Sequence, residues 1–343
     1  MKIIVENSTW NNLGDGFYQF SLYELIKNVF PEADVYFGDG PVERAFHPNQ
    51  KQLKNALKSI EWQNADLHIL SGPMVMALLK TEYKAAIENI KRKGSNYAIL
   101  SCSCSGLDGE PLNQIRKFLK AYPPIAFASR DPETYEKFKD YVPNAYNGIC
   151  TAFLVNKLLK VDTLKLDKEY FVSSFYRNPE PKFISDKAKP QIEDVTLKER
   201  KGYIPGLPWK INRHLEIYDD IAENLGDLKI VRTVQQVSNK SNNFNFKYPN
   251  SYITLNPINF LSAFKGANFT ISERVHACAV TLAFGKPARI LIDSPRCGIF
   301  ERFDLDHTSN DRIMKPSTVF FNKIDTEMDL LAKYIRESCE ALL

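Results

Sequence analysis

No apolar run in this chain reaches the ~20 residues that cross a bilayer; the most apolar stretch, Ile69 to Leu79, is interrupted at Gly72-Pro73. The opening MKIIVENSTWNN carries a single Lys and a brief apolar group before Glu6. It falls short of the ~7–15 apolar residues of a secretory leader, which predicts a cytoplasmic protein. Charge bias is missing too. A net charge of +4 over 343 residues lacks the basic footprint of a nucleic-acid binder. The mild positive balance suits an anionic small substrate or brief visits to an anionic membrane surface. Cysteines number six, too few for a disulfide framework in a chain of this length. Cys102 and Cys104 form a CxC pair with no second close Cys/His pair beside it, whereas zinc sites usually draw on two. The Asp and Glu residues show no coordinating pattern, so no metal is expected.

What is present is ordinary globular composition, 44% hydrophobic and 25% charged, in a length that favours two domains. Through the first half, short β-like runs (2–7, 33–38, 65–72, 96–103, 125–130, 145–150) alternate with helical periodicity (17–30, 50–61, 80–94, 111–121, 131–140). That alternation predicts a parallel sheet covered on both faces. The pattern restarts with a strand at 169–177, passes a polar, Pro-rich segment at 178–210 read as a loop, and continues with a helix at 211–224, a strand at 228–234 and an Asn-rich loop at 238–246. A helix at 257–265, a strand at 268–272, a helix at 273–284, a strand at 288–293 and a closing helix at 325–341 complete it. The predicted fold is α/β, with two Rossmann-like domains facing a central cleft. Residues 1–160 form the first, 161–324 the second, and 325–343 a C-terminal helix packing back on the first.

The segment Ser272-Glu273-Arg274-Val275-His276 holds the most chemistry. With Ser272 read as the N-cap, Glu273, Arg274 and His276 fall in the first helical turn. Free backbone N–H groups and the positive end of the helix dipole then face the space above the strand ends, where ligands of open parallel sheets bind. Arg suits phosphate or carboxylate through its planar fork. The plainer alternative pairs Arg274 with a neighbouring carboxylate and makes His276 a satisfied core histidine. Asp15, in the Leu-Gly-Asp-Gly turn at 13–16, is equally readable as a helix cap or as a functional carboxylate. Arg130-Asp131 reads as an inter-element pair and a cap.

ISERVHACAVTLAFGKPARILI (271–292) resembles the signature of the polysaccharide pyruvyl transferase family. So do NNLGDGFYQFSLYEL (11–25), ASRDPETYEKF (128–138) and SSFYR (173–177), in the family's order. The chain departs from the family at Ser71-Gly72-Pro73, where a Gly-Gly pair is common, and at Cys150-Thr151-Ala152-Phe153, where an Asp-Pro-Ala-Phe-like segment is common. Arg296 stands where a Lys usually follows the last strand. The resemblance implies a GT-B-like fold and transfer of pyruvate from phosphoenolpyruvate to saccharide hydroxyls, as a cyclic ketal, in cell-surface or exopolysaccharide biosynthesis. It implies His276 and Asp15 as catalytic residues, His276 as donor ligand or general acid and Asp15 as base or acceptor ligand. Arg274, Arg177, Ser272, Glu273, Asn12, Gly14 and Arg296 become the substrate-binding set, with the donor site in the second domain. No cofactor is implied beyond the phosphoenolpyruvate substrate. The expected partner is a saccharide or lipid-linked saccharide, the latter bringing a peripheral contact at the inner membrane face. On the 178–210 segment, Lys182, Lys187, Lys189, Trp209 and Lys210 are candidates to cover the cleft or touch that membrane, beside the plainer reading of an exposed loop. Two other functions suit the same architecture: a glycosyltransferase using a nucleotide sugar, and a non-catalytic sugar-binding or assembly subunit.

Overall fold

The computed structural model describes residues 1–7, 12–42, 46, 49–78, 81–176, 178–200, 221–236, 248–309 and 311–342. Six strands, β1 (Lys2–Glu6), β2 (Asp34–Gly38), β3 (Leu67–Gly72), β4 (Asn96–Cys102), β5 (Phe127–Ser129) and β6 (Ala145–Asn147), form the first sheet in the order β2-β1-β3-β4-β5-β6. Every pairing in it is parallel, the topology expected of strand-helix alternation. The connecting helices include α1 (Asp15–Val29), α2 (Thr81–Arg92), α3 (Gly109–Ala121) and α4 (Pro132–Phe138). The helix expected at 50–61 is two short pieces, Gln50–Lys54 and Ser59–Trp62. The first is closed by an Asn49/Gln52 capping box and ends at Asn55. Too little of its surface is buried to hold it together through Leu57, which is 83% exposed.

The second sheet is mixed. Its path is β10 (Asn224–Leu225), β11 (Leu228–Thr233), β7 (Tyr170–Ser174), β13 (Thr270–Ser272), β14 (Ala288–Ile290) and β15 (Ile313–Met314), with β12 (Ser251–Tyr252) beside β11. The central pairings are parallel, while β10 and β15 run antiparallel at the edges. A small hairpin, β8 (Lys182–Ile184) with β9 (Thr196–Lys198), corrects the expectation of a structureless 178–210 loop. Its strands are half-exposed and lie among polar residues, so no apolar run marks them. The helix expected at 211–224 lies mostly outside the described residues, and Asn224 belongs to a strand. The 238–246 loop also lies outside them. The helices flanking the second sheet are α5 (Pro257–Gly266) and α6 (Val275–Ala283). The closing helix α7 (Thr318–Ser338) starts seven residues before its expected position, because the Ser317 side chain accepts the Phe320 N–H and caps it there.

One apolar cluster joins the two sheets. It runs from Ile3 and Val5 of β1 through Phe17 and Leu22 of α1 to Phe260 and Phe264 of α5, Ala277 and Val280 of α6, and Val172 of β7. Phe17 meets Phe264 edge to face at 5.8 Å. Gly16 makes this approach possible, since a Cβ there would lie 2.4 Å from the Pro257 ring. Helix α7 returns to the first sheet. Tyr334 stacks on Tyr146 at 4.7 Å and accepts the Phe127 N–H at 2.8 Å, while Arg336 donates to the Val29 carbonyl at 3.0 Å. No described helix is long and apolar enough to cross a membrane.

Candidate active site

In each sheet the chain runs first to one side of a central strand and then to the other. The reversal falls between β1 and β3 in the first sheet and between β7 and β13 in the second. Crevices form at the carboxyl ends of strands where such reversals occur. The turn after β13 and the turn leading into α1 meet there.

Ser272 closes β13 and is fully buried. Its hydroxyl donates to the Ser174 carbonyl at 2.9 Å and accepts the Arg274 N–H at 2.7 Å. These bonds bend the chain two residues before the helix. Arg274, with φ −103° and ψ 116°, therefore holds the N-cap position, and α6 begins at Val275. This corrects the expected cap at Ser272. Glu273, 3% exposed, turns its carboxylate to the loop after β7, where it accepts the Tyr176 N–H and, at 2.9 Å, the Asn178 N–H. Ser272 and Glu273, expected among the substrate ligands, thus spend their side chains on the protein's own backbone. Arg177 lies outside the described residues.

Arg274 reaches the first lobe. Its Nη2 donates to Oδ1 of Asn12 at 3.0 Å, and the same oxygen accepts the Gly14 N–H at 3.2 Å. Its guanidinium also lies over the Tyr176 ring at 5.8 Å. Asn12 and Leu13 are tied to Gln235 and Gln236 through an isolated bridge and a 2.7 Å bond from the Leu13 N–H to the Gln235 carbonyl. A Cβ at Gly14 would stand 2.3 Å from the Gln235 side-chain oxygen, so the Gln235 side chain packs closely over this turn. Asn12 and Gly14 thereby place Asp15 at the start of α1, facing α6.

His276 stands between the lobes. Its Nδ1 is 3.6 Å from Oδ1 of Asp15, and its Nε2 is 3.2 Å from Nη1 of Arg130. Arginine has donors only, so Nε2 accepts and the ring proton of the neutral imidazole sits on Nδ1, which hydrogen-bonds to the Gly14 backbone with Asp15 just beyond. The Tyr18 ring packs edge-on at 5.1 Å. Tyr18 in turn lies against Gly72, whose φ of +72° and lack of a Cβ are both required, since a Cβ would stand 1.9 Å from the Tyr18 hydroxyl. Burial, reinforced by the charges of Arg130, Arg274 and Arg296, holds the His276 imidazole well below its ordinary range. Burial also pushes the Asp15 carboxyl up, against the opposing pull of the same three arginines and a hydrogen bond with Asn12. The side chains of His276 and Asp15 keep 12% and 15% of their surface exposed, so both remain within reach of a ligand.

Arg130 is the residue that sequence reading missed. It follows β5, is 5% exposed, and lies 5.6 Å over the Tyr18 ring. Its Nε has no hydrogen-bond partner among the described residues. Asp131 caps α4 by accepting the Thr134 N–H at 2.8 Å, the part of the Arg-Asp pair that the sequence does reveal. Arg296, exposed on the turn Pro295–Ile299, acts on both His276 and Asp15 through its charge. Cys102 and Cys104 are buried thiols, with the Cys104 sulfur accepting the Thr134 hydroxyl at 3.4 Å. Among the described residues no three His, Cys, Asp or Glu side chains gather as a metal site.

A cluster of cations around one imidazole and one carboxylate, at the carboxyl ends of strands from two sheets, is suited to hold a small polyanion and move a proton beside it. Solved structures share the architecture. A Listeria monocytogenes protein assigned as a UDP-N-acetylglucosamine 2-epimerase matches 98% of this chain and 90% of its own, with TM-score 0.54 and 9% identity. S. aureus MnaA, determined with UDP, matches 98% of this chain and 91% of its own, with TM-score 0.51 and 11% identity. At such identity the likeness is one of fold, a two-lobed GT-B-like arrangement. No curated protein sequence matches this chain with significance. The sequence profile of the polysaccharide pyruvyl transferases matches residues 12–294, from the Asn12 turn to the threshold of the Arg296 turn, and the chain belongs to that family of transferases.

Proposed function

We propose that this protein transfers pyruvate from phosphoenolpyruvate to two hydroxyls of a saccharide, releasing phosphate and leaving a cyclic ketal. The observation that carries this reading is the grouping of Arg130, Arg274 and Arg296 around His276 and Asp15. In the reaction one acceptor oxygen bonds to C2 of the donor, C3 gains a proton, and the C2–O bond to phosphate breaks. The second hydroxyl then adds to C2 and closes the ketal, its proton passing to the departing phosphate. Arg274 and Arg130 hold the donor's phosphate and carboxylate, as planar forks do. His276 delivers the proton to C3, and Asp15 receives one from an acceptor hydroxyl.

The acceptor is a saccharide, free or lipid-linked, approaching from the side of the α1 turn. Incubating the protein with phosphoenolpyruvate and a panel of defined saccharides, with phosphate release and product mass as readouts, tests the reading. Phosphate release that depends on a saccharide, with the mass gain of a pyruvate ketal, is expected. Turnover of a nucleotide sugar with phosphoenolpyruvate left intact would overturn it.

A further inference from the structure

We propose that His276 receives its catalytic proton only when the donor binds: the incoming anion draws the Arg130 guanidinium away from Nε2, and the exposed nitrogen takes a proton from solvent. This rests on the pyruvyl transfer reading and extends it. An imidazole whose Nε2 accepts from Arg130 and whose proton sits on Nδ1 has no proton to give to a carbon on its Arg130 side. To act as an acid there it must gain one at Nε2, and that position is blocked by a guanidinium donor at 3.2 Å. Arg130 is poised to leave. Although it is buried, its Nε is unpartnered among the described residues, and a bidentate anion offers it more than a single imidazole nitrogen does.

The surrounding charges favour the same switch. Facing the ring are Asp15 and Tyr18 from α1 and Arg130 from the end of β5, and the charges of Arg274 on its own turn and Arg296 on the turn after β14 also act on it. Three positive groups oppose at most one negative, so an added proton is repelled in the empty site. A donor carrying roughly −2.5 to −3 at neutral pH, from one phosphate ester and one carboxylate, reverses that local sign. Binding and protonation are then linked, each favouring the other. The proton comes from bulk water, and no oxidant or further reactant is involved. An unloaded site therefore holds no imidazolium, which guards it against idle proton transfer from that ring.

Calorimetric titration of the intact chain with phosphoenolpyruvate, in buffers of differing ionisation enthalpy near pH 7.5, tests the linkage. Buffer-dependent heat corresponding to about one proton taken up per donor bound is expected, lost in His276→Gln. Binding with buffer-independent heat, or an uptake unchanged in His276→Gln, overturns the inference and leaves the donor reading standing. No binding of phosphoenolpyruvate to the unaltered protein overturns both. If His276→Gln does not fold, NMR titration of the imidazole Cε1–H signals with and without phosphoenolpyruvate decides the matter. With five histidines in the chain, one signal must move from neutral to charged on saturation. If none does, the inference falls.

Discussion

Arg274 and Asn12 meet across the cleft, Nη2 to Oδ1 at 3.0 Å, although 262 residues separate them in the chain. The bond holds a guanidinium from the second lobe against the turn that carries Asp15. Replacing Arg274 with Ala removes the proposed anion ligand and this bridge together. Its loss is expected to lower kcat/KM for phosphoenolpyruvate by about 10²–10³, in line with removal of a preorganised charge donor. Arg274→Lys is expected to recover little, because an ammonium cannot reproduce a planar fork. Steady-state phosphate release measures both.

His276 and Asp15 are expected to pull stability in opposite directions with pH. The folded imidazole titrates below the 6.5 of the unfolded chain. Below that value the unfolded state binds more protons, so this contribution is lost as pH falls through 6.5 toward the folded pKa. Asp15 titrates above its unfolded 3.8 in the folded protein. Between those two values the folded state holds the extra proton, so its contribution falls as pH rises through that window. Two outcomes follow for melting temperatures. His276→Gln loses less stability than the parent between pH 7.5 and 5.5. Asp15→Asn melts at or up to about 2 °C above the parent at neutral pH while losing activity.

Glu273 serves the site at one remove. Its two oxygens hold the N–H groups of Tyr176 and Asn178, on either side of position 177. In Glu273→Gln one acceptor becomes a donor facing a donor, at a cost of about 1–3 kcal/mol for the buried group left unmatched. Faster amide exchange at Tyr176 and Asn178, with little change elsewhere in the second sheet, is the expected signature. Unchanged exchange at those two amides would remove Glu273 from this role.

Gly16 sets how closely α1 approaches α5. The Cβ of an alanine would stand 2.4 Å from Pro257 Cγ and 2.6 Å from its Cβ, and a proline ring cannot swing aside. Gly16→Ala is expected to cost about 1–3 kcal/mol, as overpacking does. Because Asp15 is the neighbouring residue, kcat is expected to fall along with the melting temperature. A variant that melts earlier yet turns over normally would show that the shift is absorbed away from the α1 turn.

Much of this architecture is legible in the sequence, and what escapes has physical reasons. The first sheet could be read because each strand is a short apolar run followed by a helix of 3.6-residue period, with Gly94 at φ +76° closing α2 as its position suggests. The hairpin at 182–198 could not, since its strands KFI and TLK are half-exposed and sit in a polar, Pro-rich stretch with no apolar run to mark them. Ser272 has the chemistry of a cap and its hydroxyl does accept the N–H two residues on, but the helix starts only at Val275, two residues later than a cap at Ser272 would place it. Arg130 read as half of an inter-element pair, but its partner, His276, could not be named because it lies 146 positions away. Glu273 read as a ligand because nothing local announces that backbone N–H groups from a separate turn claim both its oxygens.

The apolar cluster that runs unbroken from β1 to β7 bears on cooperativity. Units that melt separately need separate cores. Here Phe17, Phe264, Val172 and Ile3 belong to the same one, and helix α7 ties the far end of the chain to the first sheet through Tyr334 and Arg336. The chain should therefore melt in one calorimetric transition, with van't Hoff and calorimetric enthalpies in agreement. Fragments cut after residue 160 should each expose half of that core and fail to fold alone. Two resolved transitions would mean that each sheet can hold itself together without the other. A single one makes the crevice around His276 a property of the whole chain, lost or kept all at once.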